Sequence, residues 1–304
     1  MKTVASFALG LVVSFTALTG FAADKKIILI AGRPSHGPGE HEFRAGCLLL
    51  KSCLDQLKSV SSVVYSNGWP TRLVDGKAID DNSAFADADA VFIYSDGGGG
   101  HPAIKPERIK VLDDLAKMGV GLGFGHYAVE VPTGAPGDAM LRWSGGFFET
   151  FWSVNPTWMA EFSKLPTHPI TSGVKPFSIR DEWYYHMRFV DNMKDVTPIL
   201  TAVPPDNTRG RPSANDAHGG NPEVQKHMGE PEHMMWALQR PDGGRGFGFT
   251  GGHYHKNWGQ DDFRKVVLNA ILWTAKAQVP EDGAVTSVTP EQLAANLDPK
   301  GQRK

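Results

Sequence analysis

Histidine, carboxylate and glycine recur together at four points of this chain. They are Ser35-His36-Gly37-Pro38-Gly39-Glu40-His41-Glu42, Asp96-Gly97-Gly98-Gly99-Gly100-His101, Gly125-His126-Tyr127 with Glu130, and Gly251-Gly252-His253-Tyr254-His255. Imidazoles gathered with a carboxylate suit a borderline-soft divalent metal such as zinc, and an open coordination position there activates water or polarises a carbonyl. The same imidazoles titrate near neutrality and could do acid–base work with no metal. The glycines after Asp96 could turn backbone N–H groups toward an oxyanion, which makes Asp96 and its turn a substrate-facing candidate. A single loop histidine is more often a plain hydrogen-bonding residue than a ligand. Four at comparable places argue the other way, so His36, His41, His126 and His253 form the expected metal set. His168, His218, His227 and His233 fall in loops away from them and carry no such expectation.

These groups can meet only if the elements before them end at one edge. Lys26 to Ala31 is a continuous apolar run, as in a parallel strand buried on both faces. An amphipathic helix from about Glu40 to Leu57 follows, then strands at 62–66, 90–94 and 119–124, with a helix over 106–118 before the last of these. This alternation predicts an α/β fold, a mostly parallel sheet with right-handed crossovers. Ligands of such sheets bind outside the carboxyl ends of the strands. Each histidine-bearing turn follows a predicted strand, so all four should share that edge. Residues 131–180 read as an irregular aromatic elaboration. Further strands are expected at 181–190, 196–202, 233–240 and 244–250, a long polar loop at 204–232, and a closing helix at 261–276. Beyond Pro280 a polar arm is expected, with one short helix at 290–297.

Composition narrows the partners. The chain has 304 residues with Lys+Arg 31 against Asp+Glu 33, a net −2, which offers no electrostatic case for nucleic acid or an anionic membrane. Its 34 glycines exceed the roughly 7% of ordinary usage. The glycine run at 119–125 lacks the G-x-G-x-x-G spacing, so no nucleotide cofactor is expected; P-loop, H-E-x-x-H and G-x-S-x-G motifs are also absent. Lys2, the apolar run Val4–Leu18 and small residues up to Ala23 read as a signal peptide cut after Ala22. A periplasmic or secreted protein with no stable membrane insertion is therefore expected, as residues 1–22 leader, 23–278 main domain and 279–304 tail. Cys47 and Cys53 sit six residues apart on one predicted helix, about 9 Å of rise, too far for a disulfide. Trp143, Trp152, Trp183 and Trp258 are candidate walls of a sugar pocket, whereas Trp236 and Trp273 read as core. The sequence leaves the oligomeric state open, a homo-oligomer included.

The blocks Ser35–Glu42, Gly123-Phe124-Gly125-His126-Tyr127, Asp181-Glu182-Trp183-Tyr184 and Arg245–His253 carry a family likeness. Over about Lys25 to Ala277 the sequence resembles the ThuA-like (trehalose utilisation) family of the class I glutamine amidotransferase-like superfamily. The resemblance implies a flavodoxin-like three-layer αβα sandwich and a role in sugar metabolism, on oxidised (3-keto) glycosides. It maps the recurring histidines to His41, His126 and His253 and adds Glu182 as an acidic candidate. Glutamine amidotransferases carry a nucleophilic cysteine where His126 stands here, so cysteine glutaminase chemistry is not expected. The leading expectation is an exported enzyme on a small carbohydrate. It would work by metal- or histidine-assisted elimination, isomerisation or hydrolysis, with Glu182 or Glu130 as general base, Tyr127 or His255 as proton donor, and His126 at the centre. The rivals are a sugar-binding or scaffold protein without turnover, and a purely structural histidine cluster.

Overall fold

The computed structural model describes residues 24–58, 60–210, 218 and 222–301. The expected leader, residues 1–22, lies outside them. Seven strands form the central sheet: β1 (Lys25–Ala31), β2 (Val60–Tyr65), β3 (Ala90–Tyr94), β4 (Gly121–Gly125), β5 (Val196–Ala202), β6 (Glu232–Gln239) and β7 (Arg245–Phe249). Their spatial order is β5-β6-β7-β4-β3-β1-β2, with β2, β1, β3, β4 and β7 mutually parallel and β6 alone reversed, antiparallel to both of its neighbours β5 and β7. This is the doubly wound arrangement of flavodoxin-like sheets, with the chain reversing direction between β1 and β3.

Alternation along β1 shows why the sheet is sandwiched. Ile27, Leu29 and Ala31 pack on one face with α1 (Phe43–Leu54) and the closing helix, while Ile28 and Ile30 pack on the other with α2 (Pro106–Lys117) and α3 (Ala135–Ser144). All five residues from Ile27 to Ala31 are fully buried, each apolar side chain worth about 1.5–3 kcal/mol of transfer for Ile or Leu. The closing helix, α4 (Asp261–Thr274), has Gln260 as its cap, the side chain accepting from Phe263 N–H, and Asp261 and Asp262 in its first turn. Cys47 and Cys53 are buried free thiols in α1. Among the described residues no helix is long and apolar enough to cross a membrane.

Several local readings need correction. The first helix starts at Phe43, not Glu40, because His41 adopts a left-handed φ of 46° and the backbone of Glu40 bridges to Tyr254. Residues 131–180 are more regular than expected. They hold α3, ended by Gly145 at φ 84°, and the first strand of an antiparallel pair, Thr157–Phe162 against Phe177–Glu182. The strand expected over 181–190 therefore ends at Glu182, and a hairpin at Thr71–Asp80 was not anticipated. The tail is not a free arm: Ala284 is buried, Arg264 donates to Thr286, and Asp298 N–H donates to Glu42.

Candidate functional site

The ladder explains the convergence. Ala31 pairs with Tyr94, Tyr94 with Gly125, and Gly125 with Phe249, so four parallel strands end level with one another. The turns that follow, carrying His36 and His41, Asp96, His126 and His253, emerge on the same edge. His36, His41 and His126 have left-handed φ of 61°, 46° and 53°, a conformation costing a non-glycine residue about 1 kcal/mol or more. His126 thus stands on a tight elbow between β4 and a single 3-10 turn, its imidazole wholly buried. Gly97 permits that elbow to pack: a Cβ there would lie 2.2 Å from the Tyr127 carbonyl oxygen.

Four side chains meet at one point. His41 Nε2 lies 2.9 Å from His126 Nε2 and 3.0 Å from His253 Nδ1. Glu182 Oε2 lies 3.1 Å from His253 Nδ1 and 3.6 Å from His126 Nε2. Hydrogen bonds on the far side of two rings decide which nitrogens carry protons. His126 Nδ1 is 2.9 Å from the Thr250 carbonyl, which can only accept, so Nδ1 holds the hydrogen. His41 Nδ1–H donates to Asp96 at 2.9 Å, and Ser35 Oγ donates to the same carboxylate oxygen at 2.8 Å. This is the carboxylate–histidine pairing that orients metal-ligating imidazoles.

Burial, reinforced by His41, holds the pKa of His126 well below its ordinary value, so the ring is neutral and its Nε2 is a bare lone pair. Burial also opposes charge on His253, but the Glu182 carboxylate outweighs it and the net shift is upward. For Glu182, burial pushes upward while His253 and His126 pull the carboxyl below its usual range. Burial raises Tyr184 well above its ordinary value; its neutral hydroxyl donates to Glu182 at 3.2 Å and lies 3.3 Å from His126 Nε2.

The chemistry of this donor set tests whether it fits a cation. Two imidazole nitrogens facing each other at 2.9 Å are held together only by a shared proton or an electrophile. Ligands 2.0–2.1 Å from a tetrahedral ion stand roughly 3.3–3.4 Å apart, close to the spacings here. The ligand atoms of His41, His126, His253 and Glu182 all lie within 4.8 Å of one another. The set therefore fits a divalent cation. His36, His41 and Asp96 form a second close group, but there the His41–Asp96 bond and the 3.5 Å stack of His36 on His41 already account for the contacts.

The backbone around the cluster is tied down by buried charges. Asp181, fully buried, accepts from the N–H groups of Glu182, Gly252 and His253 and from Asn257 Nδ2, which fixes the turn bearing His253. Burial raises its pKa, with those bonds opposing. From the tail, Lys300 Nζ donates to the Glu40 and His41 carbonyls and pairs with the buried Glu42 carboxylate at 3.2 Å.

The structure brings His41, His126, His253 and Glu182 together and leaves other expected residues aside. His36 is exposed and stacks on His41 rather than joining the four. Glu130 faces His218 at 3.1 Å, and Tyr127 stands half-buried near His41, its pKa pushed up to about 12 by burial and Glu130. His255 turns away, its Nε2 on the Leu293 carbonyl. Trp143, Trp183 and Trp258 are core residues, 2%, 0% and 1% exposed, and do not wall an open pocket. Ser35, Tyr184, Thr250 and Lys300 were given no role from sequence. Only the Glu182-x-Tyr184 spacing, two residues along an extended chain, offered a signal.

A family profile described as "ThuA: Trehalose utilisation" matches residues 56–274. No curated protein matches the chain. Among solved structures, one titled a putative ThuA-like protein from Bacteroides uniformis aligns over 86% of this chain and 95% of its own, with TM-score 0.56 and 13% identity. Another so titled, from Parabacteroides merdae, aligns over 85% and 94%, with TM-score 0.52 and 17% identity. At these identities the likeness speaks for the fold.

Proposed function

The chain belongs to the ThuA (trehalose utilisation) family, and on that premise we propose an exported, carbohydrate-active enzyme whose centre is the His41–His126–His253 cluster with Glu182. The observation that carries this reading is the pair of facing nitrogens, His41 Nε2 and His126 Nε2 at 2.9 Å, with His253 and Glu182 aimed at the same point. His41, His126 and His253 would hold a divalent cation of the zinc type. When bound, it supplies Lewis-acid polarisation of a sugar oxygen.

The remaining work falls to the protein's own groups. On an oxidised (3-keto) glycoside, Glu182 takes the proton next to the ketone. The C–H electron pair passes through the enolate into a new C1=C2 double bond as the glycosidic C1–O bond breaks, and the departing oxygen takes a proton from Tyr127. Isomerisation or hydrolysis of the same substrate begins with the same proton removal. Tyr184 and Asn155, bonded to the two oxygens of Glu182 at 3.2 and 3.4 Å, orient that carboxylate. Asp96 and Ser35 orient His41, and the Thr250 carbonyl orients His126. Export rests on the apolar run Val4–Leu18 behind Lys2.

The test is the elemental content of purified protein and turnover of 3-keto glycosides by wild type and His126→Ala. One equivalent of divalent metal is expected in the wild type, with loss of metal and a fall of at least 100-fold in kcat/KM in the variant. Absent metal together with full turnover by His126→Ala refutes the centre.

A further inference from the structure

Beside the cluster, on the β1–β3 side where the sheet reverses direction, lies a cavity of about 710 Å³. Pockets of roughly 300–1,000 Å³ are those that enclose whole small-molecule ligands. Its walls come from the ends of β1, β2 and β3 and from the start of α2, and they include Arg33, Asn67, Trp69, Asp96, Lys105 and Arg108. Asp96 belongs to both places, because the carboxylate that lines the cavity also holds His41 Nδ1 at 2.9 Å. Asp96 therefore joins the wall of the cavity to the reacting centre.

The charge of the cavity is uneven. Arg108 is neutralised by a two-point pair with Asp80, at 2.7 and 2.6 Å, and its guanidinium lies over Trp69. Arg33 and Lys105 are exposed and enter no ion pair among the described residues. Lys105 is also the N-cap of the 12-residue helix α2, and no side chain caps that helix end. Pro106 at the first helical position has no N–H, the Arg108 N–H bonds the Lys105 carbonyl, and Glu107 lies in the first turn, so the positive charge at this wall comes from the side chains. Two cations that enter no ion pair thus line a cavity that reaches Asp96.

We propose that this cavity is the subsite for the distal part of the substrate, and that this part carries an anionic substituent, a carboxylate or a phosphate, held by Arg33 and Lys105. The inference rests on the carbohydrate reading of the centre and names the substrate class: an acidic glycoside with its scissile sugar at the histidines. Asp96 bounds the inner end of the cavity, and the cations bound the outer part.

Calorimetry on the full mature protein tests it with three probes, the 3-keto forms of 4-nitrophenyl β-glucoside, 4-nitrophenyl β-glucuronide and 4-nitrophenyl β-glucoside 6-phosphate. At least one anionic probe should bind about tenfold tighter than the neutral one, as charge-assisted hydrogen bonds would give. The glucuronide and phosphate arms tell which anion is preferred. In Arg33→Gln/Lys105→Gln the anionic-to-neutral ratio should fall to about one, and high salt should shrink it in the wild type. Equal binding of all three probes by wild type, or a ratio that survives the double substitution, overturns the anionic subsite while leaving the carbohydrate reading intact. Binding of none of the three overturns both. Metal content of His126→Ala reports on the histidine centre alone.

Discussion

Asp181→Asn should unhinge the His253 turn while changing one atom. Each carboxylate oxygen accepts two bonds: Oδ1 from Glu182 N–H at 2.8 Å and His253 N–H at 3.1 Å, Oδ2 from Gly252 N–H at 2.7 Å and Asn257 Nδ2 at 3.0 Å. An amide can keep only one of these pairs, because its NH2 must face two donors whichever way it turns. Two charge-assisted bonds are lost, at about 1.5–3 kcal/mol each, and two buried N–H donors are left unpaired. Removing a charge from a fully buried site returns part of this, so the net loss is about 3–4 kcal/mol. For a domain of this size that lowers Tm by roughly 10 °C. Function should fall as well. Gly252, at φ 107°, and His253 lose the anchor that aims Nδ1 at His41, so cation affinity should drop at least tenfold. Differential scanning calorimetry and competitive metal titration read the two effects. A variant with wild-type melting and wild-type cation affinity would refute the claim that Asp181 positions His253.

Other expectations follow from the same contacts. Asp96→Ala should weaken cation binding about 10- to 100-fold with little effect on folding, since it removes the acceptor that orients His41; titration with a chromophoric chelator reads it. Lys300→Met strips the buried Glu42 of its cation and releases the His41 carbonyl, so unfolding in urea should show a loss of about 3 kcal/mol and metal affinity should fall with it. His101 is 3% exposed, and burial lowers its pKa from 6.5 to about 4, offset in part by the Ala128 carbonyl. Its unfolded form binds the proton more tightly, so its contribution is intact above pH 6.5 and is lost as pH falls from 6.5 to 4. The sum is about 3 kcal/mol. His101→Gln should flatten the pH dependence of unfolding free energy across that window, and an unchanged slope would contradict it.

Much of the fold was legible in sequence because its signals are local. A strand buried on both faces reads as a continuous apolar run, and Lys26–Ala31 and Ala90–Tyr94 did so within a residue of their observed ends. The helices α2 and α4 announced themselves by periodicity for the same reason. Less legible were segments set by distant partners. His41 leaves the helical region because its turn is held by Tyr254, His253 and Lys300, between 212 and 259 residues away, and no window around Glu40 contains them. The helix α3 after Val131 has its own signals, Pro136 in its first turn and Gly145 just past its end, but the aromatic residues around it obscure them.

The sequence by itself determined that histidine-bearing turns follow strands of a parallel sheet, and hence that those turns share an edge. Strand direction is enough for that, since parallel strands place all their carboxyl ends on one side. Only the tertiary structure decided which side chains meet there. Register set Ala31, Tyr94, Gly125 and Phe249 level, and left-handed turns aimed His41 and His126 inward while leaving His36 outside. Glu182, from outside the sheet, took the fourth place. The tryptophans went to the core for a similar reason: a large apolar ring reads alike in a sequence whether it lines a pocket or supports one, and burial depends on what the rest of the chain stacks against it.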